Sequence, residues 1–160
     1  MVELVATSVV LVALTLVPVT LFHLRSRIKE QESWFPNPTI SPESQPISMT
    51  NAWQYVATTF SDDSLTRVWA YGLWQRGWCQ PIPGSETLQI VRRGADTLQI
   101  DTASIVRIVS GNTTVGRGVE SGGLVGIVWS SSALLFTTWL RPISSSEKAK
   151  LTLELEAGIR

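Results

Sequence analysis

The chain has 160 residues, and its 13 lysines and arginines balance its 13 aspartates and glutamates, so the formal net charge is zero. This balance excludes a global electrostatic field that would recruit nucleic acid or acidic substrates. A single cysteine and a single histidine, Cys79 and His23, exclude an internal disulfide, a histidine-based catalytic centre in the folded part and a zinc site of the usual Cys/His type.

The N-terminal residues 4–24 read LVATSVVLVALTLVPVTLFHL and carry no charged side chain. As a helix they would extend over about 31 Å, close to the hydrocarbon thickness of a bilayer. A cleaved signal peptide is the alternative, but no basic residue precedes the apolar run and no small-x-small cleavage motif follows it. We therefore predict a retained transmembrane anchor over residues 1–24.

Basic residues follow the apolar segment directly, at Arg25, Arg27 and Lys29. Basic residues beside a membrane span stay on the cytoplasmic side, and the other flank carries only Glu3. This pattern predicts a single-pass plasma-membrane protein with its N-terminus outside and its C-terminal domain in the cytoplasm. Three basic residues are fewer than a lipid-binding cluster needs, so we interpret them as a topology signal.

Residues 25–48 are predicted to be a juxtamembrane linker that is first basic and then rich in proline. The stretch SWFPNPTISPESQPIS, residues 33–48, holds four prolines, which disfavour both a helix and an inner strand. Such a spacer would reach some 45 Å. Trp34 and Phe35 either dip into the membrane interface or pack on the folded domain, and the sequence leaves both readings open.

Residues 49–160 are predicted to fold as one β-rich domain. Short apolar runs alternate with turn signals such as PIPG and RRGAD, which indicates an antiparallel sandwich or barrel. Residues 59–76 are either a strand or an irregular segment laid across the sheet. Most of the tryptophans are expected in the core, with one or two in the stretch VWAYGLW exposed.

The C-terminal tail SSSEKAKLTLELEAGIR is predicted to be helical over residues 147–158. Ser144 and Glu147 form a capping-box pattern, and Ala, Lys, Leu and Glu favour a helix. The alternation of the leucines is instead typical of a strand. In the helix, Leu151, Leu155 and Ile159 would form one stripe that covers an open end of the barrel.

The order of local motifs resembles a known family. WQYVATTF, DSLTRVWAYGLWQRG, IVRRGADTLQIDTASIVRI, GRGVESGGLVGIVW and TTWLRP are similar to the actinobacterial membrane-anchored PH-like proteins, which are loosely labelled as transporter, export or membrane proteins. The resemblance covers nearly the whole chain. It implies a mainly β fold, with one N-terminal transmembrane helix and a PH-like seven-stranded barrel or sandwich capped by a C-terminal helix. It implies no enzyme activity, no cofactor and no catalytic residue.

The glycine-rich stretch GRGVESGG does not fit a dinucleotide-binding motif, because its glycine spacing is wrong and a strand follows it. It is either a mobile hairpin loop or a binding loop. A binding loop would use the contact residues Gly116, Arg117, Gly118, Glu120 and Gly122.

Arg92 and Arg93 are predicted at a hairpin tip, with Arg76 upstream, and such arginines can bind a phosphate headgroup. The alternative is that they are solvated turn residues. Cys79 is predicted to be a buried, inert thiol, since no histidine can activate it. The pair Asp62 and Asp63 is interpreted as the end of a turn, and no metal site is predicted.

The favoured hypothesis is a non-enzymatic, membrane-tethered interaction or scaffold module. Residues 4–24 would lie in the lipid bilayer, and a protein partner would bind at an open sheet edge, the glycine-rich loop or a groove beside the C-terminal helix. Alternatives are a lipid or phospho-ligand sensor and an accessory subunit of a transport complex, since one span cannot transport alone. No nucleic-acid partner is expected.

Overall fold

The architecture is given by a computed structural model. It describes residues 2–35, 40–41, 47, 52–111, 113–114, 117–118 and 123–158, of which residues 2–13, 40–41, 113–114, 117–118, 156 and 158 are described as backbone alone. The elements follow in this order: α1 Val2–Glu32, β1 Ile40–Ser41, β2 Trp53–Phe60, β3 Gly77–Pro83, β4 Thr87–Arg92, β5 Thr97–Asp101, β6 Ile105–Gly111, β7 Thr113–Thr114, β8 Arg117–Gly118, β9 Leu124–Ser131, β10 Leu134–Arg141 and α2 Ser145–Gly158.

Seven long antiparallel strands form one continuous sheet around a common core. The strand order is β1-β5-β4-β3-β2-β10-β9-β6, so that β2 joins the two halves of the sheet. The first part of β2 pairs with β3, and nearly its whole length pairs with β10. The prediction of a mainly β fold with seven strands and a C-terminal helix is confirmed.

The two helices attach at opposite ends of β2. Trp53, at the start of β2, lines a groove with residues of α2. Phe60, at the other end, contacts Trp34, which follows α1, with ring centroids 5.7 Å apart. Seven residues of strand separate the two positions by about 23 Å. We refer to these as the α2 end and the α1 end of the barrel.

Helix α2 covers the barrel as the capping pattern predicts. The Ser144 hydroxyl accepts a hydrogen bond from the backbone N–H of Glu147 at 3.3 Å, which satisfies one donor of the first turn. Leu151 and Leu155 are buried in the core, so their spacing follows the helical and not the strand period. The third member of the predicted stripe, Ile159, lies outside the described residues.

The segment between β2 and β3 is an irregular plug laid across the barrel, and not a strand. Val68, Ala70 and Leu73 are fully buried. The Leu73 carbonyl accepts from the backbone N–H of Thr58 at 2.8 Å and from the Tyr55 hydroxyl at 2.9 Å. These bonds replace the strand ladder that the apolar pattern of this stretch also permitted.

A chain of buried side-chain hydrogen bonds crosses the core beneath this plug. The Tyr55 hydroxyl lies 2.7 Å from the Thr58 hydroxyl, which lies 2.9 Å from that of Thr138. The indole N–H of Trp129 donates to Thr138 at 3.0 Å. Each polar group therefore has a partner, which is the condition for burying such groups at low cost.

Alkaline titration is expected to weaken the fold between pH 10 and pH 12. Burial raises the pKa of Tyr55 from 10.0 to about 12, although the nearby Arg92 acts in the opposite direction. The folded state favours the neutral phenol, so this stabilisation is complete below pH 10 and is lost as the pH rises through 12. At 1.36 kcal/mol per pKa unit, the loss is about 2 to 3 kcal/mol.

Urea unfolding at a series of pH values measures this loss. The decrease in unfolding free energy above pH 10 should be shallower in Tyr55→Phe, which has no proton to lose at this position. Equal slopes in the two proteins would contradict the assignment of this pH dependence to Tyr55.

Helix α1 runs without a break from Val2 to Glu32. Residues 25–32, predicted as the start of a linker, are therefore helical, which fits the helix-forming Lys, Glu and Gln in that stretch. Among the residues whose side chains the structure describes, no helix is long and apolar enough to cross a membrane. Residues 4–13 of the predicted anchor lie outside that set.

Candidate interaction site

The end of α1 is bound firmly to the barrel. Gln31 Oε1 accepts from the backbone N–H groups of Trp69 at 2.6 Å and Ala70 at 3.2 Å. The Trp34 carbonyl accepts from the Ser131 hydroxyl at 2.6 Å. These bonds join the helix to the plug and to the end of β9, so α1 and the barrel meet without a flexible joint.

Phe35 completes this junction from inside the core. Its ring is buried, with its centroid 4.9 Å from that of Phe136 and 5.8 Å from that of Trp129. Of the two readings left open by the sequence, packing on the domain is therefore the one observed for Phe35. The first part of the predicted spacer belongs to the domain, and Ile40 and Ser41 pair with β5 as a short edge strand.

Arg92, predicted at a hairpin tip as a contact for a phosphate headgroup, is the last residue of β4 and is buried. The side chain is only 2% exposed. Its guanidinium donates to the carbonyls of Asp96 at 2.7 Å, Gly72 at 2.9 Å and Tyr71 at 2.9 Å. It also lies 5.2 Å from the ring centroid of Tyr55. These contacts hold the plug against the β4–β5 turn. Because the buried guanidinium already donates to three backbone carbonyls, it is poorly placed to bind a ligand.

The other two arginines of the predicted phosphate site, Arg76 and Arg93, are exposed and do lie near Arg92. The three side chains line a recess of about 30 Å³. This recess is far smaller than the roughly 300 to 1,000 Å³ typical of small-molecule sites. The structure thus brings the three residues together but forms no cavity that would hold a headgroup between them.

A larger groove lies at the α2 end, between β3 and α2. Its volume is about 220 Å³. It is lined by Trp53, Gln80, Pro81, Ile82, Pro83, Glu147, Lys150, Leu151 and Glu154. The groove is therefore formed by the start of β2, the second half of β3 and one face of the helix.

On the side away from β4, the backbone of the β3 wall offers hydrogen-bond acceptors and no N–H donors at Pro81 and Pro83, although the side chain of Gln80 also lines the groove. Pro81 and Pro83 have no N–H, and they face Ile90 and Leu88 of β4 in the register. Hydrogen-bonded and non-bonded pairs alternate in an antiparallel ladder, so the proline carbonyls point away from β4. On that side, the described part of β2 pairs with β3 only over residues 77–79.

The helical wall of the groove is acidic. Glu147 Oε2 is buried and has no hydrogen-bond partner among the described residues. Glu154 Oε1 lies 3.9 Å from the ammonium of Lys150, a long and exposed contact. A buried acceptor without a partner is costly, and a donor supplied by a ligand would remove that cost.

The predicted binding loop leads directly into the start of β9. Leu124 pairs with Gly111 there, and the short strands β7 and β8 pair within the loop. Arg117 and Gly118 form β8. Gly116, Glu120 and Gly122 lie outside the described residues, so the role of this loop stays a prediction.

Cys79 is buried and Asp63 orders a turn, as the sequence predicts for these two residues. Cys79 is buried, and burial raises the pKa of its thiol, which makes it a poor nucleophile. Asp63 accepts from the Leu65 N–H at 2.9 Å and from the Thr66 hydroxyl at 2.5 Å, so it orders a turn. These bonds lower the pKa of the Asp63 carboxyl. Among the described residues, no cluster of His, Cys, Asp and Glu has the arrangement of a metal site.

Sequence reasoning did not identify the residues of the groove, although it anticipated a groove beside the helix. The one signal was the pair of prolines in GWCQPIP, which marks a strand edge that cannot donate hydrogen bonds. Trp53 and Glu147 are more than ninety residues apart in the chain, and only the fold places them together.

Seven antiparallel strands around one core, covered at one end by a C-terminal helix, define a PH-like domain. The profile of the bacterial PH domain-like family matches residues 35–156. The chain belongs to this family. Its first matched residue is Phe35, the residue that enters the core after α1. A comparison with curated proteins found no significant match, and neither did a comparison with solved structures.

Proposed function

We propose that this protein is a membrane-tethered PH-like interaction module of the plasma membrane, and that the groove between β3 and α2 binds a basic side chain of a protein partner. PH-like domains are generally non-enzymatic and commonly bind proteins or lipids. The observation that carries the proposal is the acceptor-rich groove with the unpartnered carboxylate oxygen of Glu147.

The volume of the groove favours a side chain of a larger partner over a small molecule. About 220 Å³ is below the usual range for cofactor and small-molecule sites, roughly 300 to 1,000 Å³. The groove is lined by two carboxylate side chains, Glu147 and Glu154, and by one ammonium group, that of Lys150. A lysine or arginine supplies three to five N–H donors, which matches that surplus of acceptors.

The tether is supported by the surface of α1. Over residues 14–24, large apolar side chains are exposed on all sides of the helix: Leu14, Leu16, Val17, Val19, Leu21, Phe22 and Leu24. A helix that is apolar on every side requires an apolar surrounding, because no single face can bury it. Residues 4–24 carry no charged side chain, and a bilayer would supply that surrounding over this length.

A lipid or phospho-ligand sensor is a weaker candidate. Such a site would use Arg76, Arg92 and Arg93, and Arg92 already donates to three backbone carbonyls. We therefore place ligand recognition at the α2 end and not at these arginines. An accessory role in a transport complex would be one use of the same partner-binding groove.

Photo-crosslinking in cells tests the groove. A photoreactive amino acid at Ile82, which lines the groove, should crosslink a partner, whereas one at Val106 on β6 should not. Glu147→Gln combined with Glu154→Gln should lower the yield several-fold, because the acceptors lose their charge. Glu30→Gln on α1 is the matched control. A yield that does not depend on the two glutamates, or equal products from Ile82 and Val106, would overturn the proposal.

A further inference from the structure

The α1 end of the barrel carries three exposed apolar side chains, two on the β2–β3 connection and one on β10. Leu65, in the loop after β2, is 68% exposed, Trp69 is 42% exposed and Leu135, at the start of β10, is 45% exposed. The backbone N–H of Ser61 donates to the Leu135 carbonyl at 2.9 Å, so the loop and β10 are adjacent. Exposed apolar side chains that lie together at one end of a domain suit a contact surface, and the position of α1 decides what this end would contact.

Trp69 is held in place at this surface. Its ring lies against that of Trp74, with centroids 5.0 Å apart and an angle of 34° between the planes. Its backbone N–H donates to Gln31 of α1 at 2.6 Å. Tryptophan is enriched at membrane–water interfaces, where its apolar ring and its N–H are both accommodated.

The length of α1 places this end close to the proposed bilayer. From Leu24 to Gln31 the helix rises by about 10 Å. The headgroup layer on each side of the hydrocarbon core is roughly 5 to 8 Å thick. Because α1 is continuous to Glu32, the barrel begins within about one side-chain length of the headgroups. Arg25, Arg27 and Lys29 are exposed along this stretch and suit a phosphate-rich layer.

The acidic residues at the α1 end limit how deep the contact can be. Asp62 and Asp63 are exposed beside Leu65. The Asp63 carboxylate is bonded to the Leu65 N–H and the Thr66 hydroxyl and so remains charged. Charged carboxylates do not enter hydrocarbon, so the contact is with the headgroup layer.

We infer that the α1 end of the barrel rests on the bilayer, with Leu65, Trp69 and Leu135 in the headgroup layer. This orientation rests on the proposed membrane tether. It turns the α2 end, about 23 Å away along β2, toward the aqueous side. The groove is then presented to partners, and the domain is held in one orientation rather than free on a long linker.

Site-specific fluorophores on the full-length protein in phosphatidylcholine–phosphatidylglycerol vesicles test the inference. Cys79 is buried and its thiol pKa is raised, so an introduced cysteine is the reactive one. Leu65→Cys should be quenched several-fold more by headgroup-level spin-labelled lipid than Leu153→Cys. Leu153 is a matched control, since it is 71% exposed on α2 at the other end.

A third label separates this inference from the tether itself. Leu16→Cys, on α1, should be quenched by lipid labelled deep in the acyl chain. If Leu16 is quenched and Leu65 is quenched no more than Leu153, the orientation is overturned and the tether stands. If Leu16 is not quenched, the tether fails, and the inference fails with it.

Discussion

Replacing Arg92 by methionine is expected to lower the free energy of unfolding by about 3 to 5 kcal/mol. Three backbone carbonyls accept from this one guanidinium. Hydrogen bonds to charged groups contribute about 1.5 to 3 kcal/mol each, and water recovers part of the loss in the variant.

The backbone beside Arg92 adds to this effect. Tyr71 and Gly72, whose carbonyls it binds, have φ values of 49° and 64°. The left-handed conformation costs a residue with a side chain about 1 to 2 kcal/mol. Without the guanidinium, Tyr71 has less to hold it in that conformation, and the plug should loosen together with Trp69 and Trp74.

Urea unfolding followed by near-ultraviolet circular dichroism measures both effects. Arg93→Met is the matched control, since Arg93 is exposed and should change stability by less than about 1 kcal/mol. Arg92→Lys should recover only part of the loss, because one ammonium cannot reproduce the planar fork. Similar losses in the Arg92 and Arg93 variants would contradict a structural role that is specific to Arg92.

Replacing Phe35 by alanine is expected to cost about 3 to 5 kcal/mol as well, for an apolar reason. The ring packs against Trp129, Phe136 and Tyr71, with centroids 4.9 to 6.3 Å away. Its removal leaves a cavity among large aromatic side chains that cannot collapse to fill it. The variant also loses the residue that ties α1 to the core.

Hydrogen exchange of the β10 amides, with thermal unfolding in detergent, measures this second loss. Phe22→Ala is the matched control, because Phe22 lies on α1 but is 73% exposed and does not touch the barrel core. Protection of β10 should fall in Phe35→Ala and stay unchanged in Phe22→Ala. Unchanged protection in both variants would show that Phe35 is dispensable to the core.

The orientation inferred above changes what the proline-rich stretch can do. A free spacer of residues 33–48 would let the domain move some 45 Å from the membrane. Phe35 lies in the core and Gln31 is bonded to the plug, so under the proposed membrane tether the end of α1 would set this separation. A partner that binds the groove would therefore meet it at a defined height above the membrane.

Local patterns were sufficient for most of the long strands and for α2, but not for the end of α1 or for the short strand β1. The alternation of apolar residues predicted the strands, and the capping box of Ser144 and Glu147 predicted α2 against the strand-like spacing of its leucines. These signals act over a few residues, where backbone sterics and side-chain spacing decide the structure. The burial of Cys79 followed in the same way from its place in an apolar strand.

Long-range packing decided the rest. The sequence determined a β-rich domain with a capping helix behind an uncharged N-terminal stretch, since these properties follow from composition and periodicity. Only the tertiary structure decided that Arg92 donates hydrogen bonds to three backbone carbonyls and that Phe35 packs in the core. It also decided that Trp53 and Glu147 line the same groove. Each of these depends on which distant segments meet, and a residue's neighbours in the chain do not specify its neighbours in space.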